Sequence, residues 1–91
     1  MPLYMLLCTD RHGALDIRKA NRAAHLDYVA ETGCVVLAGP VLDEAGEMAG
    51  SLIILDLPDI EAVRAWGAQD PYAQAGLFES VRAQEWKRVI G

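Results

Sequence analysis

No run of lysine or arginine occurs in the chain, and the net charge is −5. Binding nucleic acid needs a basic stripe to neutralise phosphate, so nucleic acid is not an expected partner. No apolar stretch approaches the ~20 residues that cross a bilayer. Met1-Pro2-Leu3-Tyr4 lacks the basic start of a signal peptide. The expectation is a soluble, cytoplasmic chain with no membrane partner. Cysteine is scarce: Cys8 and Cys34 are the only two. They form no C-x-x-C pair and sit in or beside apolar runs, so both read as buried thiols behaving as small hydrophobes. His12, His25 and Cys34 are scattered without ligand spacing, so no metal is expected. There is no glycine-rich phosphate loop, and no G-x-S-x-G elbow that would make a serine nucleophile. No cofactor is expected either.

What the sequence has in excess is apolar residues, 53% of 91. Disorder is excluded at that content, and residues 1–91 are expected to form one domain. A chain this short buries only about 60–65% of its unfolded surface. The apolar excess therefore implies a further buried face, most simply a homodimer interface.

Leu3-Tyr4-Met5-Leu6-Leu7-Cys8 suits a central strand buried on both sides. A polar loop, Thr9 to Gly13, follows, in which His12 reads as solvated. Asp16 is the expected N-cap of a helix over Ile17–Thr32, with Gly33 closing it. Ile17, Ala20, Ala24 and Val29 are the expected buried stripe. Arg18, Arg22, His25 and Tyr28 recur at three- or four-residue steps and share one side of that helix. Cys34 to Ala38 reads as a strand bounded by Gly39-Pro40, which implies an edge or a bulge. Asp43 to Glu47 is a hairpin loop, and Ala49 to Leu57 a further strand. Asp59 caps the next helix, whose Ala62, Val63 and Trp66 face the core. Phe78 to Ile90 is the last strand. Strand, helix, strand, strand, helix, strand is the ferredoxin-like split βαβ order of an α+β fold, βαββαβ, with an antiparallel sheet ordered 4-1-3-2. The helices cover one face of that sheet and leave the other for a second copy.

Between the second helix and the last strand lies Ala68-Gln69-Asp70-Pro71-Tyr72-Ala73-Gln74-Ala75-Gly76. Asp70 before Pro71 is a cap signal for a new helical turn. With Tyr72 beside it, the same carboxylate is also a candidate site residue. His25 titrates near neutral pH and is a candidate general acid or base; the alternative is an ordinary helix-surface histidine. An Asp70 that reached His25 would hold its tautomer, with one oxygen on the turn and the other on the imidazole. Ser51, after Gly50, is a candidate hydrogen-bond donor. Gly39-Pro40 is a bulge or a place where a ligand approaches the backbone.

Arg22-Ala23-Ala24-His25-Leu26, Ala38-Gly39-Pro40, Gly50-Ser51-Leu52, Ala68-Gln69-Asp70-Pro71-Tyr72 and Ala75-Gly76-Leu77-Phe78 occur in series over nearly the whole chain. In order and spacing they resemble the YciI-like (YCII-related) family. Where some relatives have a proline before the last strand's tryptophan, this chain has Glu85-Trp86. The resemblance implies a dimeric α+β barrel in which two ferredoxin-like sheets face each other. It also implies a site built on a histidine–aspartate pair, here His25 and Asp70, with Arg22, Ser51, Gly39, Pro40 and Tyr72 lining the same pocket. The expected activity is that of a cofactor-independent enzyme acting on a small organic molecule, such as a cyclic or aromatic acid, by elimination or isomerisation. The alternatives are a non-catalytic dimeric module that binds a small molecule, and a plain structural dimer.

Overall fold

The computed structural model describes residues 2–91; Met1, where the expected domain begins, lies outside them. The apolar N-terminal run forms β1 (Leu3–Asp10), followed by α1 (Leu15–Thr32), β2 (Val35–Leu42) and β3 (Met48–Asp56). Then come α2 (Ile60–Gln69), the single turn α3 (Pro71–Gln74) and β4 (Phe78–Trp86). The strands pair antiparallel in one sheet of order β2-β3-β1-β4. This is the ferredoxin-like arrangement that the element order predicts, with β1 and β3 inside.

Side chains alternate across the strands. Tyr4 and Leu6 of β1 face the helices beside Leu55 and Ile53 of β3, their register partners. Val63 and Trp66 of α2 close this core. Leu6 is 1% exposed, and full burial of such a side chain is worth about 1.5–3 kcal/mol. Leu3, Met5 and Leu7 point to the opposite face and stay half-buried. On β2 that face carries Leu37 and Val41, 50% and 41% exposed. No helix among the described residues is long and apolar enough to cross a membrane.

Local signals act as their chemistry dictates. The Asp59 carboxylate accepts from Ala62 N–H at 2.8 Å and starts α2. Gly33 takes φ 65° and closes α1, a conformation that favours glycine. Asp43 accepts from the N–H groups of Ala45 and Glu47 and holds the β2–β3 hairpin.

Four expectations are corrected. The N-cap of α1 is Ala14, with no side-chain cap, and Asp16 lies in the first turn, where the helix dipole favours an acid. β2 runs on through Gly39-Pro40 to Leu42; an edge strand tolerates proline because one side of its ladder is unpaired. Its register shifts fall at Val35/Leu37 and Val41/Leu42, away from Pro40. β4 ends at Trp86, because its sole partner is β1 and Trp86 already lies opposite that strand's first residue, Leu3. The fourth correction concerns α1. Ala20 and Ala24 are exposed, while the buried residues of the helix are Arg18 and His25. Burying an alanine gains little, whereas the polar row finds partners beneath it. Tyr28 of that row donates to Trp66 O at 2.7 Å, and Trp66 Nε1 donates back to Thr32 Oγ1 at 2.9 Å. These bonds fasten α1 to α2.

Gly50 lies where β3 passes tightly against β1: a Cβ there would come within 2.4 Å of the Cys8 carbonyl oxygen. Backbone cannot yield cheaply, so Gly50→Ala should cost about 1–3 kcal/mol and lower the melting midpoint by roughly 4–24 °C, read by thermal unfolding. Both cysteines are free. Burial, with the charge of Asp70 behind it, pushes the Cys8 thiol from 9.0 up to about 12. A folded-state value raised in this way stabilises the fold fully below pH 9, and the contribution is lost as pH rises toward 12. Stability measured by urea unfolding should fall across that window, and less steeply in Cys8→Ala.

Candidate active site

The inner side of α1 and the helix-facing sides of β2 and β3 border an open-mouthed cavity of about 290 Å³. One end is polar, formed by Arg18, Arg22, His25, Ser51 and Tyr72. Leu26, Val29, Met48 and Ile53 make apolar walls, and Gly39 and Pro40 form part of the β2 edge. A cavity with apolar walls and a few convergent polar groups is the usual form of a small-molecule site.

His25 is carried in on the buried side of α1 and meets Asp70 at the start of α3. Its Nδ1 lies 2.8 Å from Asp70 Oδ1 and 3.0 Å from Oδ2. Asp70 is 1% exposed and also caps α3, accepting from Tyr72 N–H at 3.0 Å. The cap and the imidazole contact are thus made by the same group, and Oδ1 serves in both. The turn is held by Oδ1 alone, while both oxygens are within reach of the imidazole. Proline at the first position of α3 fixes this geometry, since it pre-sets the backbone and needs no N–H partner. A carboxylate at Nδ1 favours the tautomer with its proton there. Nε2 has no protein hydrogen-bond partner among the described residues and is not buried away from solvent.

Tyr72, two residues on, stacks flat on His25, with ring centroids 4.1 Å apart and 16° between planes. Phe78 meets Tyr72 edge-on at 6.1 Å. The Arg18 guanidinium lies over the Tyr72 ring, 4.6 Å from its centroid. Arg18 also grips Asp10, the last residue of β1, through Nε at 2.7 Å and Nη2 at 2.9 Å. Nη2 donates further to Ser51 Oγ at 2.8 Å. A forked pair of this kind fixes direction as well as charge.

Burial works to lower the pKa of Arg18, but the hydrogen bonds to Asp10 and its charge outweigh it and hold the guanidinium above its ordinary value. Burial likewise pushes the Tyr72 phenol up, against the opposing charges of Arg18 and Arg22. It therefore stays protonated at neutral pH. Among the described residues no group of three or more His, Cys, Asp or Glu is placed to hold a metal ion.

Arg22, His25, Gly39, Pro40, Ser51 and Tyr72 all line one cavity, and Asp70 stands directly behind His25. Ser51 is buried, and Arg22 is exposed at the rim. His12 is exposed and outside this cavity. Arg18 and Asp10 complete the polar end without having been singled out in the sequence as site residues. Arg18 stands in the helical row, but nothing local distinguishes a buried arginine from a solvated one. Asp10 reads as loop until β1 is seen to extend to it.

The sequence profile of the YCII-related domain matches residues 2–87. The chain is 32% identical to the protein YciI of Escherichia coli O6:H1 over 97% of its own length and 99% of that protein's. It is 31% identical to a Haemophilus influenzae protein, covering 96% of this chain and 98% of the other. Among solved structures it resembles 5-chloro-2-hydroxyhydroquinone dehydrochlorinase from Burkholderia phenoliruptrix, in complex with 2,5-dihydroxybenzoquinone. The TM-score is 0.86 at 30% identity, over 96% of this chain and 95% of that one. A cofactor-independent oxygenase from Streptomyces nogalater shares the fold, with a TM-score of 0.63 at 16% identity over 99% and 95% of the two chains. By profile and by sequence, the chain belongs to the YCII-related family.

Proposed function

We propose that the cavity is the active site of a cofactor-independent enzyme acting on a small organic molecule, a cyclic or aromatic acid or enol, by elimination or isomerisation. The observation that carries this reading is the buried His25–Asp70 contact on the cavity wall. With Nδ1 committed to Asp70, Nε2 is the nitrogen free to take a proton from substrate. In an elimination, the electron pair left behind forms the new double bond and the leaving group departs with its own pair. In an isomerisation, the imidazolium returns the proton at a second carbon. Asp70 orients the ring and stabilises the imidazolium while it lasts. Arg22 takes an anionic group of the substrate, Ser51 donates a hydrogen bond, and Tyr72 with Gly39 and Pro40 shapes the pocket. The similarity to a protein named as a dehydrochlorinase favours elimination.

The working unit in this proposal is a homodimer closed over the sheet face that carries Met5, Leu7, Leu37 and Val41. The two free thiols suit a reducing, cytoplasmic compartment.

A thermal-shift screen of cyclic and aromatic acids, with 2,5-dihydroxybenzoquinone among the first compounds, should give hits that wild type converts. With such a substrate, His25→Ala should lower kcat by about 10²–10⁴. Asparagine still caps a helix, so Asp70→Asn should keep the fold and lose kcat in the same direction. Wild-type turnover in both variants, or recovery of every hit unchanged, would replace this reading with that of a binding module. Sedimentation should show a dimer for wild type and a monomer for Leu37→Glu, a change at a half-exposed position that leaves the protomer folded. A monomeric wild type at micromolar concentration removes the dimer from the proposal.

A further inference from the structure

In a chain of net charge −5, the cavity wall holds two arginines and a histidine and no carboxylate. The carboxylates stand one layer back: Asp70 behind His25, and Asp10 behind Arg18. The two arginines are therefore not equivalent. Arg18 is 2% exposed, its charge is matched by Asp10 through two bonds, and its remaining reach goes to Ser51 and the Tyr72 face. Arg22 makes no ion pair among the described residues and lies open at the rim.

The consequence for Ser51 is chemical. Its hydroxyl accepts from a cation, so its own proton cannot point back at the guanidinium and is left available to the cavity that Ser51 lines. Donation from a charged group also polarises the O–H, making it a better donor and a poorer acceptor.

We propose that Asp10 and Arg18 are positioning residues that set the polarity of the site: they make Ser51 a donor toward the ligand and leave the ligand's charge to Arg22. The site then selects a ligand that presents an oxyanion to Ser51 and rejects one that presents an N–H there. This rests on reading the cavity as a ligand site, but not on the acid–base role of His25.

The test compares 2,5-dihydroxybenzoquinone, which ionises at neutral pH and offers oxyanions, with 2,5-diaminobenzoquinone, the same ring offering N–H donors. Affinities are read by calorimetry. Wild type should prefer the dihydroxy compound by about tenfold or more, the usual scale of one hydrogen bond to a charged group. Ser51→Ala should lose about tenfold of that preference, leaving only what the charge of Arg22 contributes. Removing half of a buried ion pair can unfold a small protein, whereas apolar replacement of both halves is often tolerated. The decisive variant is therefore the double change Asp10→Leu with Arg18→Met. It removes one charge of each sign, so the net charge of the protein is unchanged. The preference should collapse to the Ser51→Ala level. Equal affinity of wild type for the two compounds, no binding of either, or a wild-type preference in the double variant overturns the inference. Turnover independent of His25 with the preference intact would instead remove only the catalytic reading.

Discussion

A carboxylate buried as deeply as Asp70 has to be satisfied, and the partners that satisfy it organise this fold's functional end. One is the first free N–H of α3, and the other is the imidazole of His25. Because one oxygen faces both, the turn and the ring cannot move independently. The proline that follows fixes the backbone on one side. On the other, Tyr72 stacks on the imidazole and is itself held between Arg18 and Phe78. The structural and functional readings of Asp70 describe one arrangement from two sides.

The same economy explains the inner face of α1. A helix laid on a sheet usually presents an apolar stripe, yet here the residues buried are an arginine and a histidine. Burying such groups unpaired is costly, and each has its carboxylate: Asp10 from β1 and Asp70 from the α2–α3 junction. Paired burial of this kind is weak evidence of stability. The apolar core that does stabilise the fold lies elsewhere, between Tyr4, Leu6, Ile53, Leu55, Val63 and Trp66. The polar layer fixes geometry at the cavity instead.

How much of this was legible in the sequence follows from how local each signal is. Element order was legible, because apolar runs, glycine and proline punctuation and caps such as Asp59 are short-range features. The central place of β1 followed from its unbroken apolar run. The residues gathered at the cavity were legible only as a series of motifs, since the contact between His25 and Asp70 spans 45 residues and no periodicity encodes it. The buried stripe of α1 was misread because alanine was counted as an apolar anchor. The ends of β2 and β4 were misplaced because a strand stops where its partner stops, which is a property of the sheet. Arg18 and Asp10 stayed hidden for a related reason: burial of a charge shows only once its counterion is seen.

An Asp70 that holds the His25 ring through Nδ1 keeps the proton there and leaves Nε2 free. Long-range ¹⁵N–¹H correlation of the imidazole in the wild-type protein, recorded where the ring is neutral, reads this directly. The expected result is a pyrrole-like Nδ1 and a pyridine-like Nε2. A His25 found as the Nε2–H tautomer, or as the averaged mixture of a free surface histidine, would contradict it.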